Sequence, residues 1–83
     1  MAGFSRPEKH SLTLRGHRTS VSLEPEFWAA FRDLADAEGL PLNELAARID
    51  GHRGTDCGLA SAIRLTVLRW LRDGDSGFAD DPR

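Results

Sequence analysis

The segment Arg18-Thr-Ser-Val-Ser-Leu23 alternates side chains with the period of a β-strand. Thr19, Val21 and Leu23 fall on one face, and Arg18, Ser20 and Ser22 on the other. Leu12 and Leu14 also alternate within Ser11 to Arg15, but Gly16 interrupts the run, which reads as a short extension or an arm. One strand leaves a row of backbone N–H and C=O groups unpaired, and even an isolated two-stranded hairpin is marginal in water. The expected source of a pairing partner is a second copy of the chain.

Size points the same way. At 83 residues the chain forms at most one domain, and a monomer this small buries only roughly 60% of the surface that its unfolded form exposes. Small domains make up the deficit with disulfides, a metal or oligomerisation. Cys57 is the lone cysteine, and His10, His17 and His52 lack the paired spacing of a tetrahedral metal site. Oligomerisation remains, with no metal and no cofactor expected. No charged stretch leads into an apolar run at the N-terminus and no segment approaches the length needed to span a bilayer, so no membrane partner is expected. An unpaired cysteine fits a reducing, cytoplasmic compartment.

The formal net charge of −2 hides an uneven distribution. Residues 1–23 carry Arg6, Lys9, Arg15 and Arg18 against Glu8 alone, whereas Asp73, Asp75, Asp80 and Asp81 face only Arg83 at the other end. The chain therefore divides into a basic, partly flexible arm over 1–16, a folded domain over 17–72 and an acidic flexible tail over 73–83. A dimer would bring two basic arms to one face.

Helical signals follow the strand. Glu24-Pro25-Glu26 starts a helix, with proline tolerated in the first turn and acids near the positive end of the dipole. Phe27, Phe31, Leu34 and Ala35 form its apolar stripe, Trp28 flanks it, and Gly39 stops it. Pro41 restarts a short helix through Leu42, Leu45, Ala46 and Ile49, which ends around Gly51 to Gly54. A third helix spans Leu59 to Arg72, with Asp56 or Thr55 as its expected N-cap. Its apolar residues Leu59, Ala62, Ile63, Leu65, Val67, Leu68, Trp70 and Leu71 wrap most of its circumference. Such a helix must be enclosed, and one chain of this size lacks the elements to enclose it.

The order strand, helix, Gly39-Leu40 turn and helix resembles the ribbon-helix-helix family of DNA-binding proteins. The segment His17-Arg-Thr-Ser-Val-Ser-Leu-Glu-Pro-Glu-Phe-Trp-Ala-Ala-Phe31, with Asn43-Glu44-Leu45 behind it, is similar to a bacterial branch with an additional C-terminal helix. The implied fold is mainly α with one β-strand, an intertwined homodimer holding a two-stranded antiparallel intermolecular ribbon and a third helix. The resemblance implies that the ribbon enters the DNA major groove. It places the base-reading side chains at Arg18, Ser20 and Ser22, the partition that alternation gives independently. An arginine fork suits guanine O6 and N7, and a serine hydroxyl suits several base edges.

The family's phosphate anchor, the N-terminus of the second helix, falls on Leu42 and Asn43. Pro41 stands where members often carry a small hydroxyl residue, and proline removes both a cap and a donor. Arg15 and His17 lie within reach of the DNA backbone. The expected dimer core is Val21, Leu23, Phe27, Phe31, Leu45, Ile49, Ile63, Val67 and Trp70. Arg53, Arg64, Arg69 and Arg72 read as surface groups over apolar area, and Cys57 as inert. The leading function is a sequence-specific transcriptional regulator, a repressor on a two-fold operator, which can assemble further on DNA. The alternative is an interaction or dimerisation module, or an antitoxin whose C-terminal region, with Phe78 as its apolar anchor, binds a protein partner. No catalytic constellation or glycine-rich phosphate loop supports an enzyme.

Overall fold

The computed structural model describes residues 3–74. The strand expected over Arg18 to Leu23 is present as β2 (His17–Leu23), but it has a partner in its own chain, β1 (Glu8–Leu14). The expectation of a single, unpaired strand is thereby corrected. The residues that read as an interruption are the turn itself. Arg15 and Gly16 both take positive φ, 52° and 90°, the conformation whose twist matches the strands it joins in a two-residue hairpin. Arginine is an uncommon occupant of that position, so the pair does not read as a hairpin signal. The acidic tail expected over 73–83 lies outside the described residues from position 75 onward.

Register fixes the faces of the hairpin. Leu12 pairs with Thr19, His10 with Val21 and Leu14 with His17 on the inner face, where Leu12, Leu14, Val21 and Leu23 are buried. His10 stacks flat on Trp28, with ring centroids 3.8 Å apart and 2° between planes, which fastens β1 to the first helix.

Helix α1 (Pro25–Glu38) begins on proline and ends at Gly39, whose φ of 67° turns the chain left-handed. Gly39 N–H donates to Asp36 O and Leu40 N–H to Ala35 O, a Schellman closure. Helix α2 (Leu42–His52) is capped by Pro41, whose carbonyl accepts from the N–H groups of Glu44 and Leu45. Helix α3 (Leu59–Asp73) has Gly58 at its N-cap, where no side chain caps it; the expected caps Thr55 and Asp56 lie in the preceding loop. Arg53 organises that loop by donating to Asp50, Gly54 O and Cys57 O.

The three helices pack against the inner face of the hairpin. Phe31, Leu23, Leu34, Leu45, Ile49, Ile63 and Val67 are fully buried at the centre, each stabilising by about 1.5–3 kcal/mol relative to exposure. Most of the residues expected in a dimer core, Val21, Leu23, Phe31, Leu45, Ile49, Ile63 and Val67, are thus enclosed within one chain, while Phe27 and Trp70 stay half-buried. Leu65, Leu68 and Leu71 on α3 remain about half exposed or more, at 53%, 48% and 63%. The hairpin turn generates the first prediction. Gly16→Ala should lower stability by about 1–2 kcal/mol, the cost of a left-handed residue with a Cβ, measured as a shift in the urea unfolding midpoint.

Candidate nucleic-acid interface

The outer face of the hairpin is built by the same register that buries the inner one. Lys9 lies opposite Ser22, Ser11 opposite Ser20 and Thr13 opposite Arg18, and all six are exposed. That face carries two cations, four hydroxyls and no carboxylate, in a chain whose net charge is −2. Arg18, Ser20 and Ser22 thus share one surface, as alternation predicts. Lys9, Ser11 and Thr13 join them unforeseen. The available signal was the alternation of Leu12 and Leu14, which fixes β1 as a strand once Arg15-Gly16 is read as a turn.

The two edges of the hairpin differ. A two-residue turn makes Leu14 and His17 a hydrogen-bonded pair, so the backbone groups of Lys9, Ser11 and Thr13, and of Arg18, Ser20 and Ser22, point away from the partner strand. On the β1 side, the Thr13 N–H donates to Asn43 Oδ1 at 3.3 Å, and α2 covers that edge. On the β2 side, the Ser22 carbonyl accepts from Arg64 Nη2 at 3.4 Å. The outward backbone groups of Arg18 and Ser20 meet no hydrogen-bond partner among the described residues.

The expected phosphate-contacting residues separate into two places. Leu42 and Asn43 form the first turn of α2, where the leading N–H groups have no helical acceptor. Arg15, at the hairpin tip, reaches the same helix end: its Nη2 lies 3.1 Å from Glu44 Oε2, which also accepts from Arg48 Nε at 3.0 Å. The two guanidiniums neutralise an acid that would repel an anion there. Hydrogen bonding from Arg48, reinforced by the charges of Arg15 and Arg48, holds the Glu44 carboxyl below the usual range. His17 lies elsewhere. It is on the inner face of β2 and lines a cleft with Arg18, Asp50, Arg53 and Leu59.

Arg64 does more than cover apolar surface. Its Nε donates to Glu24 Oε1 at 2.9 Å and its guanidinium lies 5.8 Å from the Phe27 ring centroid, so it ties α3 to the junction between β2 and α1. The Glu24 carboxyl is lowered chiefly by a hydrogen bond from its own backbone and then by that from Arg64.

The family model described as a ribbon-helix-helix domain matches residues 7–71, which runs from the start of β1 almost to the end of α3. The chain belongs to the ribbon-helix-helix family. No curated protein and no solved structure matches it. Ribbon-helix-helix domains are commonly DNA-binding regulators that act as dimers through a β-ribbon. In this ribbon-helix-helix domain no group of three or more His, Cys, Asp or Glu side chains is placed to hold a metal ion among the described residues. No helix among them is long and apolar enough to cross a membrane.

Because both glutamate pKa values are depressed in the folded state, the hydrogen bonds and ion pairs of the two carboxylates contribute stability that is fully present above the unfolded pKa of about 4.3 and is lost as pH falls through the lower folded values. Acid titration of folding by circular dichroism should therefore show a decline below about pH 4.3 that is shallower in the Glu24→Gln, Glu44→Gln double variant.

Proposed function

We propose that this protein is a sequence-specific DNA-binding transcriptional repressor that acts as a homodimer. The observation that carries the reading is the acid-free outer face of the hairpin, with Arg18, Ser20 and Ser22 in one row on β2. Two chains join along the open edges of β2, antiparallel, to make an intermolecular ribbon at the centre of a four-stranded sheet. The edge capped by Asn43 is unsuited to that role, and the β2 edge offers unused donors and acceptors at Arg18 and Ser20. The exposed leucines of α3, Leu65, Leu68 and Leu71, form an apolar row that gains cover from a second copy. The ribbon enters the major groove, where Arg18 donates to guanine and the serines contact base edges, while the first turn of α2 at Leu42 and Asn43 meets a phosphate. Two-fold symmetry of the dimer demands a two-fold operator.

A second reading is a protein-interaction module or antitoxin, and the observation favouring it is the leucine row Leu65, Leu68 and Leu71. DNA binding separates the two. Gel shift on random-sequence duplex at low salt should show a complex that weakens steeply with added salt, and on a duplex selected from such a pool for tight binding Arg18→Ala should cost about 1–3 kcal/mol. Absence of a complex at every salt concentration would favour the module.

The dimer has its own test. In Ser20→Pro the proline removes only an outward-pointing N–H, which strands tolerate at an open edge. Light scattering should then give the mass of one chain with helical circular dichroism retained; a persisting dimer would place the interface elsewhere.

A further inference from the structure

We propose that β1 is a second DNA-contacting strand, with Lys9 and Thr13 gripping the phosphates that wall the groove, a role that rests on the DNA-binding reading above. Lys9, Ser11 and Thr13 lie on the same exposed face as Arg18, Ser20 and Ser22 and directly opposite them in register. Lys9 makes no ion pair or hydrogen bond among the described residues. No acid shares its face.

Width decides which strand meets which part of the DNA. Joining two hairpins along β2 puts the strands in the order β1, β2, β2, β1. With adjacent strands about 4.8 Å apart, the outer pair is separated by about 14 Å. The major groove is about 12 Å wide and admits a two-stranded ribbon. The central β2 pair therefore lies over the base edges, and each β1 lies against a wall, where the accessible groups are phosphate oxygens.

Lysine is a flexible point charge suited to such an oxygen, and the Thr13 hydroxyl is a donor for another. Lys9 and Arg18 sit at opposite ends of the outer face, four residues apart along paired strands, so one hairpin has a cation near each end of its footprint. The division of labour follows: β1 supplies affinity without sequence information, and β2 supplies the sequence information.

The experiment uses the full chain and two probes: a fluorescent 30-base-pair duplex of mixed composition for anisotropy titrations, and a random-sequence duplex pool from which bound molecules are sequenced. Losing one phosphate contact per chain, two per dimer, reduces the slope of log K against log salt by about 1.8, so the affinity advantage of wild type over Lys9→Ala should shrink about twelvefold between 50 and 200 mM salt. Lys9→Arg should restore the slope, Thr13→Val should weaken binding without altering it, and the sequences enriched by Lys9→Ala should match those of wild type. Arg18→Ala should change the enriched sequences. If Lys9→Ala and Thr13→Val bind like wild type while Arg18→Ala weakens binding, β1 does not touch DNA and the proposal is overturned with the reading of β2 intact. A changed sequence preference in Lys9→Ala also overturns it, because β1 would then read bases. If wild type binds neither probe, the DNA-binding reading itself falls and this assignment falls with it.

Discussion

Every other feature of this domain depends on the pairing of β1 with β2, because a lone strand of seven residues would present unpaired backbone groups along both edges. The hairpin satisfies one edge of each strand, and the Arg15-Gly16 turn fixes the register that puts Leu12, Leu14, Val21 and Leu23 together on the inner face. A slip of either strand by one residue would send its own apolar side chains into water and its outer-face residues into the core. The three helices have an apolar plate to pack on only because the register holds. They reinforce it in return, through His10 on Trp28, Asn43 on the Thr13 N–H and Arg64 on Glu24 and the Ser22 carbonyl.

Those polar tethers also make the hairpin asymmetric. Helix α2 covers the edge of β1, and Arg64 reaches only one carbonyl on the edge of β2. The leucines Leu65, Leu68 and Leu71 of α3 are also left exposed. A small chain thereby completes a core within itself, around Phe31, Leu45, Ile49 and Ile63, while keeping one open strand edge and one exposed apolar row. An open edge invites pairing with another strand, and an exposed apolar row favours burial against a partner surface.

Electrostatics follow position, not the total. Two acids that flank the hairpin are engaged: Glu44 between Arg15 and Arg48, and Glu24 with Arg64. The face bearing Lys9 and Arg18 contains none. A net charge of −2 is therefore compatible with a locally cationic surface.

Much of this was legible in the residues. The alternation of Arg18 to Leu23 determined which side chains of β2 face inward, because the strand period is two whatever the partner. The stripe of Phe27, Phe31, Leu34 and Ala35, the stop at Gly39 and the long apolar α3 likewise follow from helical period and glycine's tolerance of positive φ. The partner of β2 was decided only by tertiary structure. Arg15 takes a left-handed conformation that its residue type disfavours, and the hairpin's packing on α1 and α2 holds it there. The strand first legible as unpaired is accordingly one half of a two-stranded face. Sequence period sets the direction of a side chain, but which strands lie beside one another depends on contacts between residues far apart in the chain.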